Sequence, residues 1–356
     1  MRALLGFFSL ILLLPLAGFL YQWLGGLFDR RLMVPGKLIP APGQGRLYLL
    51  KMGRGAPTVV FESGFVATSL NWEHIQNALC QEAQTVVYDR GGLGWSDCAS
   101  SERTPTHIAV ELRAALRAAG IEPPYLLVGH SFGGQIVRRY ALEFPAEVCG
   151  LVLVDPMRTW EWPPINEPRR ATIQRAIKLT RLGVWIARFG AARLAVMSLL
   201  CRSGWLAHRL AQAAGQQGLY LFGRLTSEVG KMPPTVRPGI AAHWSGPAFY
   251  RGLLAHLEGL PATVTEMHQA EAIQGIPVLI LTPGSARPLS EDEQRAIARD
   301  YRQIIAENSE HWVHLDEPEL VVEAIRELRR EVSGETRSGY GFPHTFEETA
   351  SAVSAD

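Results

Sequence analysis

One seven-residue stretch, Val128-Gly129-His130-Ser131-Phe132-Gly133-Gly134, has the pattern G-x-S-x-G. An apolar run precedes it, and a segment with the composition of a helix follows it. Side chains at Gly129 and Gly133 would collide with backbone in so sharp a turn, and the serine must adopt a strained conformation. That strain lifts the hydroxyl clear of the sheet, close to a helix N-terminus that favours negative charge. The stretch therefore predicts a nucleophile elbow, with Ser131 as the nucleophile.

Four apolar segments, over residues 57–61, 85–88, 125–128 and 150–154, have the pattern of buried strands. They alternate with helical segments, and this alternation predicts an α/β fold with a mostly parallel, doubly wound sheet. Ligands in such sheets bind outside the carboxyl ends of the strands. Those ends carry Gly64-Phe65, Asp89-Arg90, Ser131 and Asp155, so we expect the functional site there.

The alternation of strands and helices stops at residue 156 and resumes with an apolar strand at 276–281. Residues 157–275 contain helical stretches rich in Arg, Ala, Leu and Trp, which we interpret as a helical cap over the crevice. We expect most of its aromatic side chains to pack the cap onto the core, others to line an apolar pocket, and some to face a membrane. They are Trp160, Trp162, Trp185, Trp205, Trp244, Phe249 and Tyr250.

The N-terminal segment is almost wholly apolar from Ala3 to Leu24, long enough as a helix to cross a bilayer of ~30 Å. Tyr21 and Trp23 fall where an interfacial aromatic belt would lie. We predict an uncleaved membrane anchor within residues 1–28, in preference to a cleaved signal peptide. Basic residues flank both ends, so the orientation stays open, an extracytoplasmic catalytic domain being one alternative.

The remaining boundaries follow from composition and pattern. We predict a Pro- and Gly-rich linker over 29–45, a core formed by 46–156 and 276–332, and a flexible tail over 333–356. Within the last part of the core, helices are predicted from Glu291 to Glu307 and from Glu319 to Val332, with a short strand near residues 312–315.

Composition excludes several classes of function. The formal net charge of +1 gives no electrostatic basis for binding nucleic acid. The four cysteines lack C-x-x-C spacing, so we expect neither a zinc site nor a thioredoxin-like redox pair, and we predict no cofactor. A Cys80–Cys98 disulfide and free thiols both remain open.

A serine hydroxyl needs a base within hydrogen-bonding reach, and that base is itself oriented by a carboxylate. His130 adjoins the serine, but its side chain would point away, so we expect a structural role. His311 precedes the final helix, on a loop that can reach over the elbow, and we predict it as the base. His314 is the rival and is expected to pack locally. The chain order serine, acid, histidine then requires an acid between Ser131 and His311.

Five motifs in this order resemble the α/β-hydrolase superfamily, in the group with a helical cap inserted after the sixth strand. They lie at residues 59–65, 88–97, 128–134, 151–156 and 311–318. The resemblance covers about residues 46–332. It implies a serine hydrolase that cleaves an ester-type bond of a small or moderately apolar molecule. It also implies that the backbone N–H groups of Phe65 and Phe132 form the oxyanion hole.

Two features depart from the family pattern. Many members carry His-Gly in the oxyanion loop, where this chain has Ser63-Gly64, a change that a backbone N–H donor tolerates. The usual acid follows the strand at 278–281, but residues 282–288 contain no carboxylate. Some members, including haloalkane-dehalogenase-like ones, take their acid from the preceding strand end. We therefore predict Asp155 as the acid, with Glu291 or Asp292 as the alternatives.

Several activities remain open at this stage. A serine nucleophile argues against dehalogenase and epoxide-hydrolase chemistry, which use aspartate in this fold. Peptidase, thioesterase, lipase and acyltransferase activities share the same triad. The alternative from another class is a catalytically inactive ligand-binding or scaffold protein, which the missing acid after the seventh strand supports.

Overall fold

The computed structural model describes residues 2–32, 35–41, 45–162, 165, 167–200 and 229–334, and also residues 208, 209, 212 and 215. An eight-stranded sheet lies at its centre, in the spatial order β1-β2-β4-β3-β5-β6-β7-β8. The strands are β1 (Lys37–Ala41), β2 (Gly45–Met52), β3 (Thr58–Glu62), β4 (Thr85–Tyr88), β5 (Tyr125–His130), β6 (Val148–Val154), β7 (Val278–Pro283) and β8 (Tyr301–Ala306).

The sheet is antiparallel at one edge and parallel elsewhere. Strand β2 pairs antiparallel with β1 and β4, and every other neighbouring pair is parallel. Strands β3, β4 and β5 are buried along their whole length, as expected for strands covered by helices on both faces. The predicted fold class is therefore confirmed.

Helices cover both faces of the sheet and the carboxyl ends of its strands. They are α1 (Arg2–Asp29), α2 (Glu73–Leu79), α3 (Pro105–Ala118), α4 (Phe132–Glu143), α5 (Glu167–Arg188), α6 (Ala191–Leu200), α7 (Arg237–Ser245), α8 (Pro247–His268), α9 (Glu291–Ile297), α10 (Val313–Asp316) and α11 (Pro318–Val332).

Two apolar clusters hold the helices to the sheet. Side chains of α3 and α4, such as Leu112 and Tyr140, bury one face of the sheet, and those of α2 and α11, such as Ile75 and Ile325, bury the other. Burial of one such side chain stabilises the fold by roughly 1.5–3 kcal/mol. Helices α5 to α8 come between β6 and β7, where the cap was predicted.

The structure differs from the sequence prediction in three segments. The short strand expected near residues 312–315 is wrong, because Val313–Asp316 form helix α10. Residues 37–41, predicted as linker, form β1 against β2. The single helix predicted from Glu291 to Glu307 is wrong, because α9 ends at Ile297 and the chain continues as the edge strand β8. Ile297 and Ile304 are seven residues apart, a spacing that fits a helix, so the apolar pattern did not distinguish the two structures.

The N-terminal residues form the 28-residue helix α1. In the part of the chain that the structure describes, none of the helices combines the length and the apolar character needed to cross a bilayer. The predicted anchor therefore finds no support here. Residues 335–356 of the predicted tail, together with Cys201 and Trp205, lie outside the described residues. Cys80, Cys98 and Cys149 are free thiols.

Candidate active site

The turn between β5 and α4 has the geometry that the glycine pattern predicts. Ser131 has φ 54° and ψ −116°, a conformation that costs a non-glycine residue of order 1–3 kcal/mol. A Cβ atom on Gly129 would lie 2.6 Å from the Gly133 carbonyl oxygen, and one on Gly133 would lie 2.5 Å from the Ser63 carbonyl oxygen. Both positions therefore require glycine for the strand, turn and helix to pack this closely.

A histidine and a carboxylate meet beside this turn. The Nδ1–H of His311, on the loop before α10, donates to Oδ2 of Asp155 at 2.7 Å. Asp155 follows β6 and has φ 41°, and its backbone N–H donates to the Leu281 carbonyl at 2.8 Å. With its proton on Nδ1, the imidazole offers Nε2 as the acceptor that a base needs. The structure thus brings Ser131, Asp155 and His311 to one cavity.

Two other histidines near His311, His130 and His314, are buried and make structural contacts. His130 is buried, and its Nε2–H donates to the His311 carbonyl at 2.9 Å, which helps to fix the loop that carries His311. His314 is buried and stacks on Trp72, with ring centroids 4.6 Å apart. Burial lowers the pKa of His314 to about 3, so this side chain stays neutral. The local packing role predicted for His314 agrees with these contacts.

The two alternative acids lie on the exposed start of α9. Glu291 forms an ion pair with Arg295 on the same helix. Among the described residues, neither Glu291 nor Asp292 hydrogen-bonds to His311. The geometry therefore favours Asp155 as the partner of the histidine.

The loop after β3, which carries the predicted oxyanion donor Phe65, contacts a buried guanidinium. Arg90 donates from Nη2 to the carbonyl oxygens of Gly64 and Phe65, the latter at 2.9 Å. Its guanidinium also lies over the Phe132 ring, 5.1 Å from the centroid. The rings of Phe65 and Phe132 contact each other edge to face, with centroids 5.2 Å apart. The sequence placed Asp89-Arg90 at a strand end, but nothing local showed which carbonyls Arg90 reaches.

A buried carboxyl lies beside Arg90. Glu62 accepts a hydrogen bond from the Tyr88 hydroxyl, and its Oε1 is 3.7 Å from Nε of Arg90. Burial raises the pKa of the Glu62 carboxyl to about 7, against the lowering effect of the Arg90 charge. The loop after β3 therefore lies beside a buried carboxyl whose pKa is raised toward neutral pH.

We expect this carboxyl to make stability depend on pH. Below about pH 4.5 both the folded and the unfolded chain hold the proton, and between pH 4.5 and about 7 only the unfolded chain loses it. The free energy of unfolding should then fall by about 3 kcal/mol as pH rises through this window. Urea unfolding of Glu62→Gln should lack that contribution, whereas Glu122→Gln, at an exposed site, should keep it. Parallel pH profiles for the wild type and Glu62→Gln would contradict this prediction.

The cavity above Ser131 has a volume of about 800 Å³ and a mainly apolar lining. Arg158 and Glu161, 3.6 Å apart, supply charge on one side. The apolar lining comes from Phe65, Phe132, Met157, Trp162, Leu260 and Trp312. In the described parts of the chain, no group of His, Cys, Asp or Glu side chains could hold a metal ion.

Three features are those of the α/β-hydrolase fold. They are the order of the strands, the turn at Ser131 and the helical segment between β6 and β7. A family model described as alpha/beta hydrolase fold matches residues 57–184. The chain therefore has the α/β-hydrolase fold.

Relatives match only part of the chain. The uncharacterised protein YqjL of Bacillus subtilis is 35% identical over 106 residues, which cover 30% of this chain and 42% of YqjL. RutD of Escherichia coli O7:K1, provisionally named a carbamate hydrolase, is 33% identical over 170 residues, or 47% of this chain and 59% of RutD. The matched part therefore spans about half the length of these curated relatives.

Solved structures match more of the chain at lower identity. An esterase from Thermogutta terrifontis has a TM-score of 0.59 and 19% identity, covering 84% of this chain and 99% of the esterase. The Cif epoxide hydrolase from Acinetobacter nosocomialis has a TM-score of 0.60 and 15% identity, covering 82% of this chain and 88% of that one. These similarities show the fold alone.

Proposed function

We propose that the protein is a serine hydrolase that cleaves an ester-type bond through an acyl-enzyme. The observation that carries the proposal is the hydrogen bond from His311 to Asp155 at the cavity that also holds Ser131. A serine at a strained turn, a histidine with Nε2 available and an acidic partner for that histidine are the parts that nucleophilic acyl transfer needs.

In the proposed reaction, Oγ of Ser131 attacks the ester carbonyl while Nε2 of His311 takes the hydroxyl proton. Asp155 stabilises the imidazolium, which then gives its proton to the leaving alcohol. A water molecule, deprotonated by the same histidine, attacks the acyl-enzyme and releases the acid and the free serine. The backbone N–H groups of Phe65 and Phe132 would stabilise the charge on the oxyanion.

The proposed substrate is small or moderately apolar. The aromatic and aliphatic lining of the cavity favours an acyl or alcohol group without charge, because the charged lining residues Arg158 and Glu161 already pair with each other. A volume of about 800 Å³ lies within the range of cavities that hold small organic molecules.

The alternative of a catalytically inactive binding protein rested on the missing acid after β7. We prefer the enzyme because the carboxylate at the end of β6 contacts His311 instead. No other observation among the described residues favours the inactive protein.

The test is hydrolysis of p-nitrophenyl esters of increasing acyl length, combined with labelling by a fluorophosphonate. We expect turnover and labelling of the folded protein, with kcat/KM rising from acetate to medium-length chains as the acyl group fills the cavity. Absence of both turnover and labelling in protein with a cooperative unfolding transition would overturn the proposal.

A further inference from the structure

The outer face of the cap exposes several large apolar side chains. Leu179, Leu182 and Ile186 recur at helical spacing along α5, and their side chains face solvent. Trp185 lies beside this row and is 60% exposed, and Phe189 follows at the end of the helix. We call this row, together with the exposed apolar side chains of α1, the outer cap surface. Those of α1 include Leu16, Phe19, Leu20, Trp23, Leu27 and Phe28.

The two helices form one surface because α1 is fixed to the cap. Arg193 of α6 is 4% exposed, and it donates from Nη1 to Asp29 at 3.1 Å and from Nε to Gln22 at 3.1 Å. Gly18 approaches the carbonyl of Phe189 so closely that a Cβ atom at this position would collide with it. A buried ion pair and a glycine contact therefore place the C-terminal half of α1 directly beside α5.

The charges around this surface are predominantly positive. Helix α5 carries six basic residues and one acidic residue, Glu167. Between α1, α5 and α8 lies a cleft of about 400 Å³, and neither of its two arginines forms an ion pair with the described residues. The cleft is lined mainly by Phe19, Trp23, Leu27, Val184, Arg188 and Arg251.

We propose that the outer cap surface docks onto a membrane containing anionic lipids. Exposed Trp, Phe and Leu side chains next to Lys and Arg are the composition of a helix that lies in the interface plane of a bilayer. The apolar row would enter the boundary of the acyl chains, and the two arginines of the cleft would bind lipid phosphate groups.

The charges on α5 distinguish between two partners for this surface, an anionic membrane and a second copy of the chain. A twofold dimer through this face would bring the basic side chains of α5 against the same side chains of the other copy, and like charges across an interface oppose association. An anionic lipid surface complements them instead. The lipid surface is therefore the occupant that the observations favour.

The proposed docking places the membrane near the cavity of the active site. Helix α8 carries Arg251 in the cleft and Leu260 in the lining of that cavity. Leu260 lies nine positions after Arg251 on this helix, which corresponds to about 14 Å along the helix axis. An amphiphilic substrate could then enter the cavity without crossing bulk water.

The test uses the full chain and sedimentation with phosphatidylcholine vesicles, with and without phosphatidylglycerol. We expect tighter binding to the anionic vesicles that weakens with salt. The variant Arg188→Glu/Arg251→Glu should lose about thirtyfold or more of its affinity for anionic vesicles, since each basic residue near such a surface contributes about fivefold. The control Lys51→Glu/Arg54→Glu, whose exposed residues precede β3 at the opposite end of the sheet, should bind as the wild type does.

A second variant, Leu182→Asp/Trp185→Asp, tests the apolar row, and we expect it to bind both kinds of vesicle more weakly. Thermal unfolding of every variant shows whether the fold is intact, independently of any enzymatic activity. Equal binding by the wild type and the arginine variant would overturn the proposal. So would equal binding to neutral and anionic vesicles, or a lipid-free dimer that Leu182→Asp/Trp185→Asp dissociates.

Discussion

Replacement of Ser131 by alanine is expected to reduce kcat for p-nitrophenyl esters about 10⁴- to 10⁶-fold and to abolish labelling by a fluorophosphonate. The hydroxyl supplies the bond-forming oxygen, so its removal leaves only the smaller catalysis that an oxyanion hole and substrate binding provide. The backbone N–H of residue 131 would still donate to the Val154 carbonyl, so we expect the turn to remain folded. Steady-state kinetics and mass spectrometry of the labelled protein provide the measurement.

The matched control is Ser285→Ala, because Ser285 is an exposed serine on the loop after β7. This variant should keep the kcat and the labelling of the wild type. Labelling that persists in Ser131→Ala, with cleavage products mapping the adduct to another residue, would refute the assignment of the nucleophile.

Asp155→Asn is expected to lower kcat about 10⁴-fold while leaving KM within a few-fold. A neutral amide can donate to Nδ1 of His311, which would move the ring proton to Nε2 and leave no base facing Ser131. The amide also cannot stabilise an imidazolium as the carboxylate does. The side chain is isosteric, so the fold and the contact of the backbone N–H with Leu281 should persist.

Two conservative variants distinguish this assignment from the alternatives on α9. Glu291→Gln and Asp292→Asn should each retain activity within about twofold, because both side chains lie on the exposed start of that helix. If Glu291→Gln or Asp292→Asn lost activity while Asp155→Asn retained it, the acid would have to be reassigned. The pH dependence of kcat/KM in Asp155→Asn provides a further readout, since a changed tautomer shifts the pH at which the base becomes available.

The parts of the fold that depend on local sequence were predictable. The glycines beside Ser131 predict a tight turn, and the apolar runs of β3 to β6 predict buried strands, each from a few consecutive residues. The structure has these elements at the predicted positions. The position of Asp155 could be predicted because a strand end fixes where the next residue lies. The catalytic roles of these residues remain predictions for the experiments above.

The parts that sequence did not reveal depend on distant contacts. Arg90 reaches the carbonyl of Phe65, 25 residues earlier, and Arg193 reaches Asp29, 164 residues earlier, and neither arginine stands in a local pattern that names its partner. Strand β8 was missed for a related reason: it is a partly buried edge strand whose Arg302 pairs with Glu327 of α11. Its sequence lacks the continuous apolar run of a central strand.

The tips of three neighbouring strands are linked to one another. The N–H of Ser131, after β5, donates to the last carbonyl of β6, and the N–H of Asp155, after β6, donates to Leu281 near the end of β7. These two hydrogen bonds tie the relative positions of Ser131 and Asp155 to the register of the sheet. Under the proposed mechanism, we therefore expect that a cap grafted from another protein of this fold would change the range of substrates while the reaction itself is retained.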